Sequence, residues 1–238
     1  VHSSIRVALR VAAALVLVFL VHVDVGRAAD AAEAMARAAS RCQRTVASGG
    51  QAFVARQLSD LGRCVGRALA CVETAPDDPE CLAKAGGRCE RLVARILRRE
   101  SKVERLIAAR CADLEPAALL GDTGLGFARL GEVCPALATG HGDAAVLGAC
   151  VAGLARCRGE GLFAAAVPRA GELLRVAGVQ ASLRDALACL PDRGGSGRGA
   201  RDAVTGTAVT RCARGVGRAS ERLVRRTMVN VAFCTRAT

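Results

Sequence analysis

The sequence predicts an all-α protein built from disulfide-stapled antiparallel helical hairpins, arranged as two related six-cysteine modules. Three observations lead to this reading. Apolar residues recur every three or four positions along most of the chain, as they do in helices that bury one face. The chain holds twelve cysteines, an even number. All of them follow an N-terminal segment with the layout of an export signal, and in an exported chain such cysteines pair.

Arg6 and Arg10 precede an apolar run, Val11 to Val23, interrupted by His22. Small residues, Gly26 and Ala28, occupy −3 and −1 if the cut follows Ala28. Residues 1–28 are therefore expected to be a signal peptide, and the protein to be periplasmic or secreted. The alternative is a retained membrane anchor, but the apolar run falls well short of the ~20 residues a spanning helix needs.

Composition limits the core. There are five Phe and no Tyr or Trp, so the interior must be built from Leu, Val, Ala and cystine, and a thin core depends on cross-links. The net charge is +12, carried almost wholly by arginine, since Lys84 and Lys102 are the two lysines. Arginine beside so much alanine and glycine fits a GC-rich genome, which weakens any link from basicity to nucleic acid. Metal thiolates are a poor alternative to disulfides. The sequence has no C-x2-C, and His141 is the one histidine after the leader, so zinc and haem spacings are absent. No metal or other cofactor is expected.

The cysteines divide into two sets of six. Cys42, Cys64, Cys71, Cys81, Cys89 and Cys111 have spacings of 22, 7, 10, 8 and 22; Cys134, Cys150, Cys157, Cys189, Cys212 and Cys234 have spacings of 16, 7, 32, 23 and 22. The sequence around Cys64 and Cys71 is similar to that around Cys150 and Cys157, and each set ends in a basic stretch between its last two cysteines. Internal duplication is the simplest reading. It predicts modules at 29–114 and 122–238, with Glu115-Pro116 and Gly121 to Gly126 marking the boundary.

In the first module, a helical pattern through Met35, Cys42 and Val46 is expected to stop at Gly49-Gly50. A second stripe follows through Val54, Leu58, Leu61, Val65, Ala68 and Val72. Two prolines in the segment Thr74 to Pro79 make a turn. A further helix starts near Cys81, is expected to break near Gly86-Gly87, and resumes through Val93, Ile96, Val103, Ile107 and Cys111, with Glu100 interrupting the stripe. A turn between Cys71 and Cys81 folds these segments antiparallel. The implied ladder is Cys42–Cys111, Cys64–Cys89 and Cys71–Cys81, whose outer arms are equal steps of about 33 Å if fully helical. By analogy the second module pairs Cys134–Cys234, Cys150–Cys212 and Cys157–Cys189. Its long inner loop contains a short helix before residues 182–188, and residues 191–201, rich in Gly, Ser and Arg, have the most flexible composition.

Candidate chemistry is sparse. His141 beside Asp143 has the makings of a general base, but the sequence lacks a nucleophile elbow. The segments Gly121–Gly126 and Gly194–Gly199 lack the G-K-[ST] ending of a phosphate loop. Asp77, Asp78 and Glu80 cluster in a turn without the alternating ligands of a calcium loop. No catalytic residue is assigned, and the chain is not expected to be an enzyme.

The serious candidates are two arginine-rich stretches. Arg91, Arg95, Arg98, Arg99, Lys102 and Arg105 in the first module, with Arg218, Arg222, Arg225 and Arg226 in the second, form a candidate polyanion face. The primary expectation is a non-enzymatic extracytoplasmic scaffold with a protein partner. The alternative is peripheral binding of anionic membrane or envelope polyanions. Nucleic acid is disfavoured, because export removes the usual target and aromatics for base stacking are scarce.

Overall fold

A computed structural model describes the backbone of residues 2–138, 142–200 and 202–237, and the side chains of residues 30–138, 142–200 and 202–230. The expected leader, residues 1–28, falls outside the described side chains. Among the described residues the fold is all-α and disulfide-rich, with eight α-helices, one 3-10 helix and five disulfides.

Two long helices form its spine: α1 (His2–Thr74) and α2 (Pro79–Cys111). Asp78 caps α2 by accepting hydrogen bonds from the Glu80 and Cys81 amides at 2.9 and 3.0 Å, and Pro79 occupies the first turn, where its missing N–H costs nothing. The acidic turn thus has a structural role: Asp78 starts α2, and Glu80 pairs with Lys84 one turn on. Three disulfides bind the hairpin at successive depths. Cys71–Cys81, Cys64–Cys89 and Cys42–Cys111 have Cα–Cα distances of 5.7, 4.7 and 4.8 Å. Between the rungs lie Phe53, Leu61, Val65 and Ala68 of α1 and Leu92, Val93 and Ile96 of α2, all buried. Closing the 69-residue separation from Cys42 to Cys111 removes unfolded-state entropy worth about 4 kcal/mol in the chain-entropy model.

The expected helix stops at Gly49-Gly50 and Gly86-Gly87 do not occur; both helices run through them. A mid-helix glycine costs about 1 kcal/mol relative to alanine, a small penalty beside tertiary packing and a flanking staple. Gly86 has a packing reason as well, since a Cβ there would lie 2.0 Å from the Ala177 carbonyl oxygen.

The remaining elements pack onto this hairpin. Helix α3 (Pro116–Leu120), the 3-10 helix Phe127–Glu132 and α4 (Pro135–Ala138) lie beyond the outer rung. There Leu114, Leu119, Leu120 and Leu137 form a cluster with Cys42, Ile107 and Cys111. Helix α5 (Ala144–Ala166) packs against both α2 and α1. Helices α6 (Ala170–Val176) and α7 (Ala181–Asp185) pack near the turn end, where Leu173, Leu174, Val179, Leu187 and Leu190 join the main cluster. Helix α8 (Ala203–Ala237) lies along α1. It runs antiparallel to α1: near its start Gly206 abuts Glu73, where a Cβ would lie 1.8 Å from the Glu73 carbonyl oxygen, and farther along Val224 lines the same cleft as Leu58, earlier on α1. Both core clusters draw residues from both halves of the chain.

The second six cysteines do not repeat the ladder. Cys157 is bonded to Cys189, with Cα atoms 5.0 Å apart. Cys134, expected to pair with Cys234, is instead bonded to Cys150, the expected partner of Cys212. The reason is local: a short connection through α4 brings Cys134 beside the second turn of α5, and a 16-residue closure costs less entropy than a long one. Cys212 is unbonded and exposed on α8, and the Cys234 side chain lies outside the described residues.

Non-reducing peptide mapping is expected to recover Cys134–Cys150 and Cys157–Cys189 alongside the three hairpin rungs, with Cys212 alkylated in the native protein without reductant. A Cys150–Cys212 peptide would contradict the fold.

Candidate functional site

The predicted polyanion face divides when folded. Arg95 and Arg99 turn inward to the buried carboxylate of Asp60 on α1, where Arg99 hydrogen-bonds it and Arg95 lies 3.8 Å away. These two arginines tie α2 to α1. Arg91, Arg98, Lys102 and Arg105 stay exposed on α2, as do Arg218, Arg222, Arg225 and Arg226 on α8. Glu100, which interrupts the apolar stripe of α2, accepts a hydrogen bond from Arg156 of α5 at 2.9 Å.

Two buried polar networks lock the later helices to the hairpin. Arg156 donates to Glu100, to Glu160 at 3.1 Å and to the Ala186 carbonyl at 2.7 Å, while Glu160 accepts the Cys189 amide at 2.8 Å. Burial pushes the Glu160 carboxyl above its ordinary value, against the opposing effects of the Cys189 amide and Arg156. In the second network Arg169 donates to Glu73 at 3.0 Å and to Glu172 at 2.9 and 3.1 Å. These carboxylates also accept the Ala200 and Gly197 amides, at 2.6 and 2.9 Å respectively. The segment 191–200, flexible by composition, is thus strapped down by buried acids. Hydrogen bonding to Arg169 holds the Glu172 carboxyl below its ordinary value, helped by the Gly197 amide and opposed by desolvation. Both networks engage their carboxylates with internal partners, fastening the later segments to the hairpin.

Of the remaining sequence candidates, His141 lies outside the described residues. Asp143 caps α5, accepting the Ala145 and Val146 amides at 2.9 and 2.8 Å. Among the described residues no cluster of His, Cys, Asp and Glu is suited to a metal ion, and no helix is long and apolar enough to cross a membrane.

One feature with the shape of a binding site is a cleft of about 450 Å³ between α1, α5 and α8; a second, of about 400 Å³, lies between α6 and residues 184–192. The apolar lining of the first includes Leu58, Val65 and Leu69 of α1, Leu162 and Phe163 of α5, and Val224 of α8. Five arginines line it as well: Arg63 and Arg67 from α1, Arg88 from α2, and Arg214 and Arg218 from α8. Glu221 is the one carboxylate among the lining residues, and no ion pair within the described residues engages any of the five arginines. The predicted face contributed Arg218 alone to this group. Arg63 and Arg67 were missed because they are isolated charges beside an apolar stripe; their i,i+4 spacing was the available signal.

No protein-family model, no curated protein and no solved structure matches the chain. Any functional reading therefore rests on its own residues.

The two networks respond oppositely to acid. The depressed Glu172 carboxyl contributes stability above the ordinary carboxylate range that is lost as pH falls through its folded value. Glu160, raised by burial, gains relative stability as it takes up a proton. Hydrogen exchange is expected to show the Gly197 amide, which Glu172 accepts, losing protection only below the ordinary carboxylate range. Arg156→Met should destabilise the fold by about 3 kcal/mol at neutral pH, measured by denaturant unfolding, with the deficit narrowing on acidification.

Proposed function

We propose that the chain is a non-enzymatic extracytoplasmic binding protein: a disulfide-stapled helical scaffold whose binding site is the arginine-rimmed cleft between α1, α5 and α8. The observation that carries this reading is the cleft itself. Stapled or packed helices frame it, its inner lining is largely apolar, and none of its five arginines enters an ion pair among the described residues. Its volume falls within the roughly 300–1,000 Å³ of small-molecule sites. Five disulfides support an oxidising compartment, and residues 1–28 supply the expected route to it. The similarity around the two cysteine pairs Cys64/Cys71 and Cys150/Cys157 supports descent by duplication, with the second half since wrapped around the first.

A second reading, peripheral binding to anionic membrane or envelope polyanions, is favoured by the outer surface of α8. Val209, Val216 and Leu223 are exposed at seven-residue spacing, beside the arginines at 211, 214, 218, 222, 225 and 226. An apolar stripe flanked by arginines suits an anionic interface.

Expression of the chain with residues 1–28 in place, followed by fractionation and N-terminal sequencing, tests the scaffold reading. The expected product is extracytoplasmic, begins at Ala29 and is oxidised. Cytoplasmic retention with free thiols throughout would overturn it. Salt-sensitive sedimentation with phosphatidylglycerol vesicles, abolished in an Arg222→Gln/Arg225→Gln/Arg226→Gln variant, is the outcome expected of the second reading.

A further inference from the structure

We propose that the cleft binds a single-chain anionic amphiphile, with its hydrocarbon tail between α1, α5 and α8 and its carboxylate or phosphate head among the arginines. This rests on the reading of the cleft as the binding site and names the ligand class that its chemistry selects.

The first argument is charge. Arg63, Arg67, Arg88, Arg214 and Arg218 converge from three helices on one cleft, with Glu221 the sole acid among its lining residues. Elsewhere in the fold, arginines close to apolar packing have found carboxylates: Arg99 has Asp60, Arg156 has Glu100 and Glu160, and Arg169 has Glu73 and Glu172. The five at the cleft are exposed, and none of them enters an ion pair among the described residues. Like charges brought together repel, so an anionic group entering among them is favoured.

Shape supplies the second argument. Along α1 the cleft extends from Leu58 to Leu69, about 16 Å at the helical rise. Its apolar walls are leucine, valine, alanine and phenylalanine, which fit a hydrocarbon chain, and besides the arginines and Glu221 its polar lining is two serines, Ser59 and Ser220. An elongated apolar trough with cations at its edge matches an amphiphile better than a compact polyanion.

The third argument comes from glycine. Gly66 on α1 and Gly217 on α8 both line the cleft, and a Cβ built on either meets nothing within 4 Å. Their positions differ from those of Gly86 and Gly206, where a neighbouring backbone leaves no room for a side chain. Mid-helix glycine is unfavourable, and no internal contact requires it at these two positions. The helical glycines Gly50, Gly153, Gly161 and Gly215 are open in the same way elsewhere; Gly66 and Gly217 differ in lining the cleft.

Because the chain lacks Trp and Tyr, isothermal titration calorimetry and circular-dichroism melting replace intrinsic fluorescence. The oxidised full chain would be titrated, below micelle formation, with dodecanoate, dodecyl phosphate, dodecanol, dodecyltrimethylammonium and inorganic phosphate. The expected result is saturable binding of one or both anionic chains, at least about tenfold tighter than that of dodecanol, with no binding of the cationic chain or of inorganic phosphate. A preference between dodecanoate and dodecyl phosphate identifies the head group, fatty acid or lipid phosphate.

Gly217→Leu and, on the opposite wall, Gly66→Leu should abolish binding while keeping helicity and melting temperature, and Arg214→Gln/Arg218→Gln should weaken it at least about tenfold. Equal binding of dodecanol, no binding of either anion, or full binding by both correctly folded leucine variants would each overturn the proposal. Binding confined to phosphatidylglycerol vesicles would overturn it in favour of the membrane-surface reading. If the amphiphiles fail while the exported protein is oxidised and processed, the ligand class is wrong and the scaffold reading stands; if the exported chain is reduced, the scaffold reading fails by itself.

Discussion

The covalent pairing of α1 with α2 is the constraint on which the rest of the structure depends. Five phenylalanines are the chain's whole aromatic complement, so large rings cannot dominate its interior. Three cystines set at different depths along the hairpin replace part of that missing burial by restricting the unfolded chain. Once the two helices are in register, they offer surfaces on which shorter and less regular elements can settle. Helix α5 packs on both members of the hairpin and α8 lies along α1. The elements between Cys111 and Ala144 lie beyond the outer rung.

Charge takes over where apolar packing ends. Arg156 and Arg169 each hold two acids from separate segments, so one guanidinium fastens α5 to α2, and another fastens the residues after α5 to the end of α1. Such networks are costly to bury and stabilise only when every partner is present. Their saturation marks the contrast with the cleft, where five arginines and a single carboxylate, Glu221, line an apolar trough. The fold pairs its inner arginines and leaves many exposed ones without an ion pair among the described residues; the cleft is where five of these gather beside an apolar trough.

Much of the hairpin was legible in the sequence because its code is arithmetic. Equal 22-residue arms on either side of a close four-cysteine cluster, with a proline turn at the centre, leave few ways to fold two helices together. The glycine pairs were misleading. Gly49-Gly50 reads as a break by propensity, yet the helix persists, since a local penalty of about 1 kcal/mol per glycine is small beside long-range packing. The second cysteine set was less legible for a different reason: Cys134 and Cys150 are joined through a short helical connection that local sequence scarcely marks, and analogy with the first set pointed to longer spans. The basic character of α2 and α8 was visible, but not its partition. Asp60 stands well apart from the other acids of α1, and its capture of Arg95 and Arg99 requires knowing the register of the hairpin. The cleft was invisible for the same reason, because its walls come from segments about a hundred and fifty residues apart.

Hydrogen exchange of the intact protein, compared with the same protein after gentle reduction, tests most directly whether the stapled hairpin supports everything else. With the disulfides in place, the amides of α1 and α2 between Cys42 and Cys111 should exchange slowest. After reduction their protection should fall, and α5 and α8 should lose theirs with it. Unchanged protection of α5 and α8 in a fully reduced protein would contradict the account, because the later helices would then hold a core of their own.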